Sequence, residues 1–217
     1  MNKNISLAIK GTAGALAAAF AFSFPLSANA ENFYVDLGLG QAKADLGNTA
    51  GLNVDDKDTS YSIGAGYKFN DNIAIEGGYL KLGTASISAS DTVTGTYYGK
   101  PYSSTGSASA SSEVDGYYLG PVISLPMGDK FEAYARAGVY FWNADSKMSA
   151  SGTLTYAGTT YAAGATATRS DSGNDGYYGI GAAYKATKNV SVGADWTRYD
   201  IGGVDVDNIG ARLKYAF

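Results

Sequence analysis

Residues 61–79 read YSIGAGYKFNDNIAIEGGY. Tyr61, Ile63, Ala65 and Tyr67 take every second place, and Ile73, Ile75, Gly77 and Tyr79 do so again after a polar NDN turn. Period-two alternation puts one set of side chains on one face of an extended strand and the rest on the other. The second face carries Ser62, Gly64, Gly66, Lys68, Ala74, Glu76 and Gly78, which are small or charged. The same hairpin returns without a gap at residues 178–196, YGIGAAYKATKNVSVGADW, with Tyr178, Ile180, Ala182, Tyr184, Val190, Val192, Ala194 and Trp196 on the matching face. A water-soluble barrel filled with glycine and charge would pack badly, and rows of Tyr, Ile and Val would be left unburied. Lipid outside the apolar rows and a lumen inside the small, charged face resolve both problems.

The remaining sequence supplies more strands of the same kind. NFYVDLGLG, residues 32–40, turns Phe33, Val35, Leu37 and Leu39 outward; VDGYYLGPVISL, residues 114–125, turns out Tyr117, Leu119, Ile123 and Leu125. FEAYARAGVYFW, residues 131–142, and DNIGARLKYAF, residues 207–217, alternate likewise. Connections around 70–72, 126–130 and 186–189 are short. Those around 41–58, 84–112, 143–174 and 200–206 are longer. Short turns at one end and long loops at the other mark an outer-membrane barrel. The expected fold is all-β, an eight-stranded antiparallel up-and-down transmembrane β-barrel. An even count closes without an exposed edge.

The solvent reading agrees with the start of the chain. Lys3 and Lys10 precede an uncharged, apolar run that ends in Ala28-Asn29-Ala30, an A-x-A pattern. This is the three-part form of a secretory signal peptide, so residues 1–30 are expected to be a signal and residues 31–217 the barrel. Beyond residue 30 no apolar run approaches the roughly 18 residues a spanning helix needs. With Lys3 and Lys10 set aside, 14 basic residues face 20 acidic ones, which argues against nucleic acid as a partner. There are no cysteines, hence no disulfides and no lipoprotein anchor. In the terminal stretch ARLKYAF, Leu213, Tyr215 and Phe217 alternate with polar or small residues, and this last strand must pair with the first to close the ring.

IAIEGGYLKLG, LPMGDKFEAYARAGVYFW, GIGAAYKATKNVSVGADWTRYD and GARLKYAF together resemble the OmpA-like transmembrane domain and the wider group of small eight-stranded outer-membrane β-barrels. The resemblance implies a Gram-negative outer-membrane location with outer-membrane lipids around the barrel. It also implies that Leu213, Tyr215 and Phe217 are the signal read by the outer-membrane barrel assembly machinery. The family carries an inward glutamate on the third strand and an inward basic residue on the fifth, places held here by Glu76 and Arg136. Some members carry inward charges where this chain has Ala183 and Gly193, and Asp195 and Arg212 stand as substitutes. Relatives that bind peptidoglycan do so through a domain after the barrel, a role not implied here.

Function classes narrow further. No histidine and no cysteine occur, so a Ser-His-Asp arrangement is impossible; catalysis without histidine, by paired carboxylates, stays conceivable, but no enzyme activity and no cofactor are expected. Asp55, Asp56 and Asp58 form an acidic DDKD, but it lacks the glycine and terminal glutamate of a calcium loop and reads as a solvated polar turn. Asp36, Glu76, Arg136, Asp195 and Arg212 fall on the inward face near mid-strand. An eight-stranded barrel is just wide enough for its side chains to fill it, so these charges should pair as a plug, the alternative being a narrow gated pore. The expected role is structural, in membrane integrity, with weak porin-like activity as an accessory and one chain forming each barrel. The alternative is a surface adhesin that meets an extracellular ligand through the Ser-, Thr-, Gly- and Tyr-rich long loops.

Overall fold

The computed structural model describes residues 32–47 and 53–217, so the expected signal segment lies outside the described residues. Among the described residues nine strands form: β1 Phe33–Ala44, β2 Asn53–Asp55, β3 Lys57–Lys68, β4 Ile73–Tyr97, β5 Lys100–Met127, β6 Phe131–Tyr156, β7 Thr159–Lys185, β8 Val190–Ile201 and β9 Val204–Ala216. Eight of them close a ring in which each strand runs antiparallel to both neighbours, in the order β1, β3, β4, β5, β6, β7, β8, β9. The closing seam pairs Val35 with Tyr215 and Leu37 with Leu213, and the Phe217 N–H donates to the Phe33 carbonyl at 3.1 Å. The three-residue β2 stands outside the ring on the edge of β4, with Asn53 opposite Ser88.

The facing follows the alternation. One row around the wall runs Ile123, Ala135, Ile180, Trp196 and Ile209, each opposite the next. Ile123, Ile180 and Ile209 keep 61%, 62% and 65% of their surface open, a band of apolar area that water would not tolerate and lipid solvates. Aromatic residues rim the band. Tyr79 meets Tyr117 at 5.5 Å and Tyr178 meets Trp196 at 5.8 Å on the extracellular side. Phe33 meets Tyr67 at 5.0 Å and Phe131 meets Tyr184 at 5.3 Å on the side of the short turns. Such girdles sit at the two membrane–water interfaces.

Two of the long connections differ from simple loops. β4 to β7 run on past the girdle as strands, and their hairpins end in two-residue turns at Tyr98-Gly99 and Ala157-Gly158. Both residues of each turn have positive φ, 48° and 74° in one and 51° and 84° in the other, the twist that matches flanking strands. The physical reason lies in the sequence: TLTYAGTTYAA and its counterpart alternate Thr, Ser and Tyr, which favour strands, and hold few helix formers. The result is a sheet of four long strands above the membrane. One row of it reads Ala89, Ala108, Ala150, Ala165; the next reads Ser88, Ser109, Ser149, Thr166.

A β-bulge at Gly83, φ 93°, shifts the β4–β5 register between Lys81 and Gly83. Asp58 fills the space beside it and accepts the Thr84 N–H at 2.8 Å and the Thr59 N–H at 2.7 Å. Asp56 pairs with Lys43 at 3.8 Å. Two carboxylates of the DDKD stretch therefore serve the strand geometry, and no metal-binding cluster occurs among the described residues.

Candidate functional site

The lumen is layered, and each layer follows from which residues the alternation points inward. Towards the short turns sit Tyr34, Ala74, Val122 and Tyr134, with Lys214 at 3.9 Å from Glu132 and its ammonium over the rings of Tyr34 at 4.6 Å and Tyr134 at 5.6 Å. Towards the extracellular end Leu80, Leu82, Tyr118, Tyr140, Tyr177 and Tyr199 pack together beneath Ile201. Inward glycines leave room for these rings. A side chain at Gly66 would occupy the space of the Tyr34 ring, and one at Gly181 that of Tyr134.

Between the layers lie all five charges singled out from the sequence. β1 supplies Asp36, β4 Glu76, β6 Arg136, β8 Asp195 and β9 Arg212. Arg212 Nη1 lies 2.8 Å from Asp36 Oδ1 and 3.0 Å from Glu76 Oε1, and its Nε lies 3.1 Å from Asp195 Oδ2. Arg136 Nη1 reaches the same Asp195 oxygen at 3.3 Å, while Nη2 stands 3.8 Å from Glu76 Oε1. The Tyr34 hydroxyl donates to Glu76 Oε2 at 3.0 Å and the Thr197 hydroxyl to Asp195 Oδ2 at 3.4 Å. Arg136 Nε and Nη2 have no hydrogen-bond acceptor among the described residues; the guanidinium lies against the faces of Tyr118 at 5.1 Å and Tyr177 at 5.3 Å. Cation–π attraction strengthens in such a desolvated place.

The arrangement is a cross-brace. Five strands spread around the ring each send one charge to the axis, and Arg212 and Arg136 tie the three carboxylates together. Removing either cation would strand buried carboxylates, which is the costly case.

The tyrosine layers were not among the residues singled out from the sequence. The signal was present: in Tyr117-Tyr118 and Tyr177-Tyr178 one ring faces lipid and the other must face the lumen. The remaining candidates, Leu213, Tyr215 and Phe217, face outward beside the closing seam, with the Tyr215 and Phe217 rings 5.2 Å apart.

Residues 13–217 match the family model of the outer membrane protein beta-barrel domain, and the chain belongs to that family. No curated protein matches it in sequence. Among solved structures it is similar to the attachment invasion locus protein Ail of Yersinia pestis, with 16% identity, a TM-score of 0.46, and 86% of this chain and 99% of that one covered. It is also similar to Neisserial surface protein A, with 15% identity, a TM-score of 0.47, and 85% and 97% covered. The N-terminal β-barrel domain of Pseudomonas aeruginosa OprF follows at 12% identity, a TM-score of 0.41, and 85% and 98% covered. The protein is an integral β-barrel of the Gram-negative outer membrane.

Proposed function

We propose that this family member is a sealed structural barrel of the outer membrane that holds its tall sheet out as a contact surface, and is neither an enzyme nor an effective channel. The observation that carries this reading is the filled lumen: a layer of buried tyrosines lies directly above the five-charge brace. A water path would need both layers to part. The absence of histidine and cysteine supports the non-enzymatic reading. In this reading residues 1–30 direct export, and residues 31–217 insert as one chain per barrel. The outward row Leu213, Tyr215 and Phe217 is what the assembly machinery reads.

Planar-bilayer recording of refolded protein tests the seal. The expected trace shows no unitary conductance for the native chain, and openings once Arg136 and Arg212 are both replaced by alanine. Steady channels from the native protein would overturn the reading and restore the porin-like one.

A second reading, recognition of an extracellular ligand, is favoured by the tips of the tall hairpins. Tyr98 is 85% exposed at a positive φ that a tyrosine rarely adopts, and its ring stands 4.6 Å from Tyr97, which in turn meets Tyr156 at 6.4 Å. Exposed tyrosines on a Ser- and Gly-rich background make large contacts at low entropic cost. Loss of cell attachment to a surface on replacing Tyr97, Tyr98 and Tyr156 by serine would support it; unchanged attachment would remove the tips from the account.

A further inference from the structure

The closed ring has no edge, but the sheet above it has two. β7 pairs with β8 only from Tyr177 downward, so its residues 159–176 have a strand on one side alone. On the opposite side β2 covers Ser86–Ser88 of β4, and among the described residues no strand pairs with 89–97 on that side. Natural sheets blunt such edges with proline, bulges or lysine, because bare N–H and C=O groups invite another strand. Neither open stretch contains a proline or a lysine. One edge device is Asp91, whose carboxylate takes the Thr92 N–H at 2.8 Å.

We propose that these two edges are made for each other, and that upright copies of this protein join β7 to β4 side by side, extending one sheet from molecule to molecule. Strand direction and hydrogen-bond parity both favour this pairing. β4 runs away from the membrane and β7 runs towards it, so in two copies standing in the same bilayer they meet antiparallel. Pairing β7 with β7, or β4 with β4, would bring parallel strands together. Parity then agrees. Lys185 donates its N–H to β6, at the Lys130 carbonyl, so odd-numbered residues of β7 address β6 and even-numbered ones address the open edge. On β4 beyond the bulge, Thr84 turns its N–H away from β5 to Asp58, so even-numbered residues address the open edge there too. In both strands those residues are on the hydroxyl-rich outer face, for example Thr92 and Thr94 on one and Thr166 and Thr168 on the other. A translated copy therefore continues the sheet with faces matched, and with donors and acceptors matched once Asp91 releases the Thr92 N–H.

Charge and width agree as well. Within the open stretches the charged residues are Asp91 on β4 and Arg169, Asp171 and Asp175 on β7; Asp175 is engaged by Gly202 and Trp142, and Asp91 and Arg169 are on the same, inner face. Arg169 now holds Asp171 at 2.7 Å and is well exposed, free to exchange one carboxylate for another. Strands about 4.8 Å apart and tilted near 40° advance roughly 25 Å in the membrane plane over four strands. Eight such strands closed into a ring have a backbone diameter of about 16 Å, to which side chains add on either side. Neighbouring barrels would therefore stand wall to wall beneath the joined sheet, their outward side chains in contact. Such a head-to-tail contact is heterologous and does not close on itself, so it builds rows.

The cysteine-free chain allows a direct test. Thr92→Cys and Thr166→Cys are made singly and together, and outer membranes are treated with a short flexible bismaleimide. The double variant is expected to give a ladder of dimers, trimers and higher products, and mixed single variants to give dimers only. Each single variant alone is expected to stay monomeric. Adding Thr168→Pro, which removes an edge N–H without touching the ring, should abolish the ladder while the barrel stays folded by heat-modifiable electrophoresis. Monomer throughout, dimers from one single variant alone, or cross-links to a different protein would each overturn the proposal.

Discussion

β5 passes through two environments, and its lower and upper halves obey one alternation with opposite chemistry. Below the girdle its outward residues are Tyr117, Leu119, Ile123 and Leu125, and its inward ones include buried Tyr118 and Val122. Above it the outward residues are Ser107, Ser109 and Ser111, and the inward ones are Ala108 and Ala110. β4, β6 and β7 change over at the same level, where Lys81, Asn143 and Ser172 take up the outward positions. The period never breaks; only the solvent outside it does. Strand formation in this chain is set by pairing and side-chain alternation, while the apolar or hydroxyl character of the outward row says how far the lipid reaches.

The largest effect expected from disturbing this contrast is inside the lower half. Arg136→Ala leaves Asp195 and Glu76 short of a buried cation and should cost about 3–5 kcal/mol in the urea unfolding of the refolded barrel. A loss below about 1 kcal/mol would mean that water, not Arg136, satisfies those carboxylates. Next is the outward face. Ile180→Arg places a charge near the middle of the lipid band and should cost roughly 2–4 kcal/mol. Ser109→Arg, outward on the upper half, should stay within about 0.5 kcal/mol. Equal costs at the two positions would erase the distinction between the halves.

How much of this was legible in the sequence follows from the same contrast. In the lower half, bulky Tyr, Ile and Leu alternate with Gly and charge, so a slip of one residue would expose charge to lipid. Register and facing are therefore strongly specified, and the alternation alone is enough to turn Asp36, Glu76, Arg136, Asp195 and Arg212 inward. In the upper half Ser, Thr, Ala and Gly differ little in size or polarity. Alternation there carries a weak signal, and residues 84–112 and 143–174 read as loops although most of them are strand. Only TLTYAGTTYAA, with tyrosines to mark the period, pointed to the hairpin that forms. The lumenal tyrosines were hidden differently: beside an outward ring in the same dipeptide, an inward one is masked by the girdle that any such barrel has.

A smaller effect is expected from removing the upper half. Deleting residues 88–108 and 150–168 should leave a folded barrel, because loop length enters closure entropy at about 0.6 kcal/mol per doubling and the ring pairs below the girdle are untouched. Failure to refold in detergent would show that the tall sheet nucleates the ring. The smallest is a pH effect at the rim. Asp175, just above the girdle residue Tyr178, accepts the Gly202 N–H at 2.9 Å and the Trp142 Nε1–H at 2.7 Å, and these bonds hold its carboxyl below the usual range. A depressed folded value means the contribution is present above the unfolded carboxylate range and is lost as pH falls through the folded value. In a Trp196→Phe background, Trp142 is the only indole left, so its emission should be flat through neutral pH and shift only once pH has fallen below the usual aspartate range. A shift centred above about pH 5 would contradict this bonding.

The central claim is that one outward row meets lipid below the girdle and water above it. Spin labels on single cysteines at Ile75 and Ser109, in protein reconstituted into lipid bilayers, test it through collisions with oxygen, which concentrates in lipid, and with a water-soluble nickel complex. Oxygen should relax the label at 75 and nickel the label at 109. A label at 75 shielded from oxygen, or one at 109 reached by oxygen and not by nickel, would contradict it.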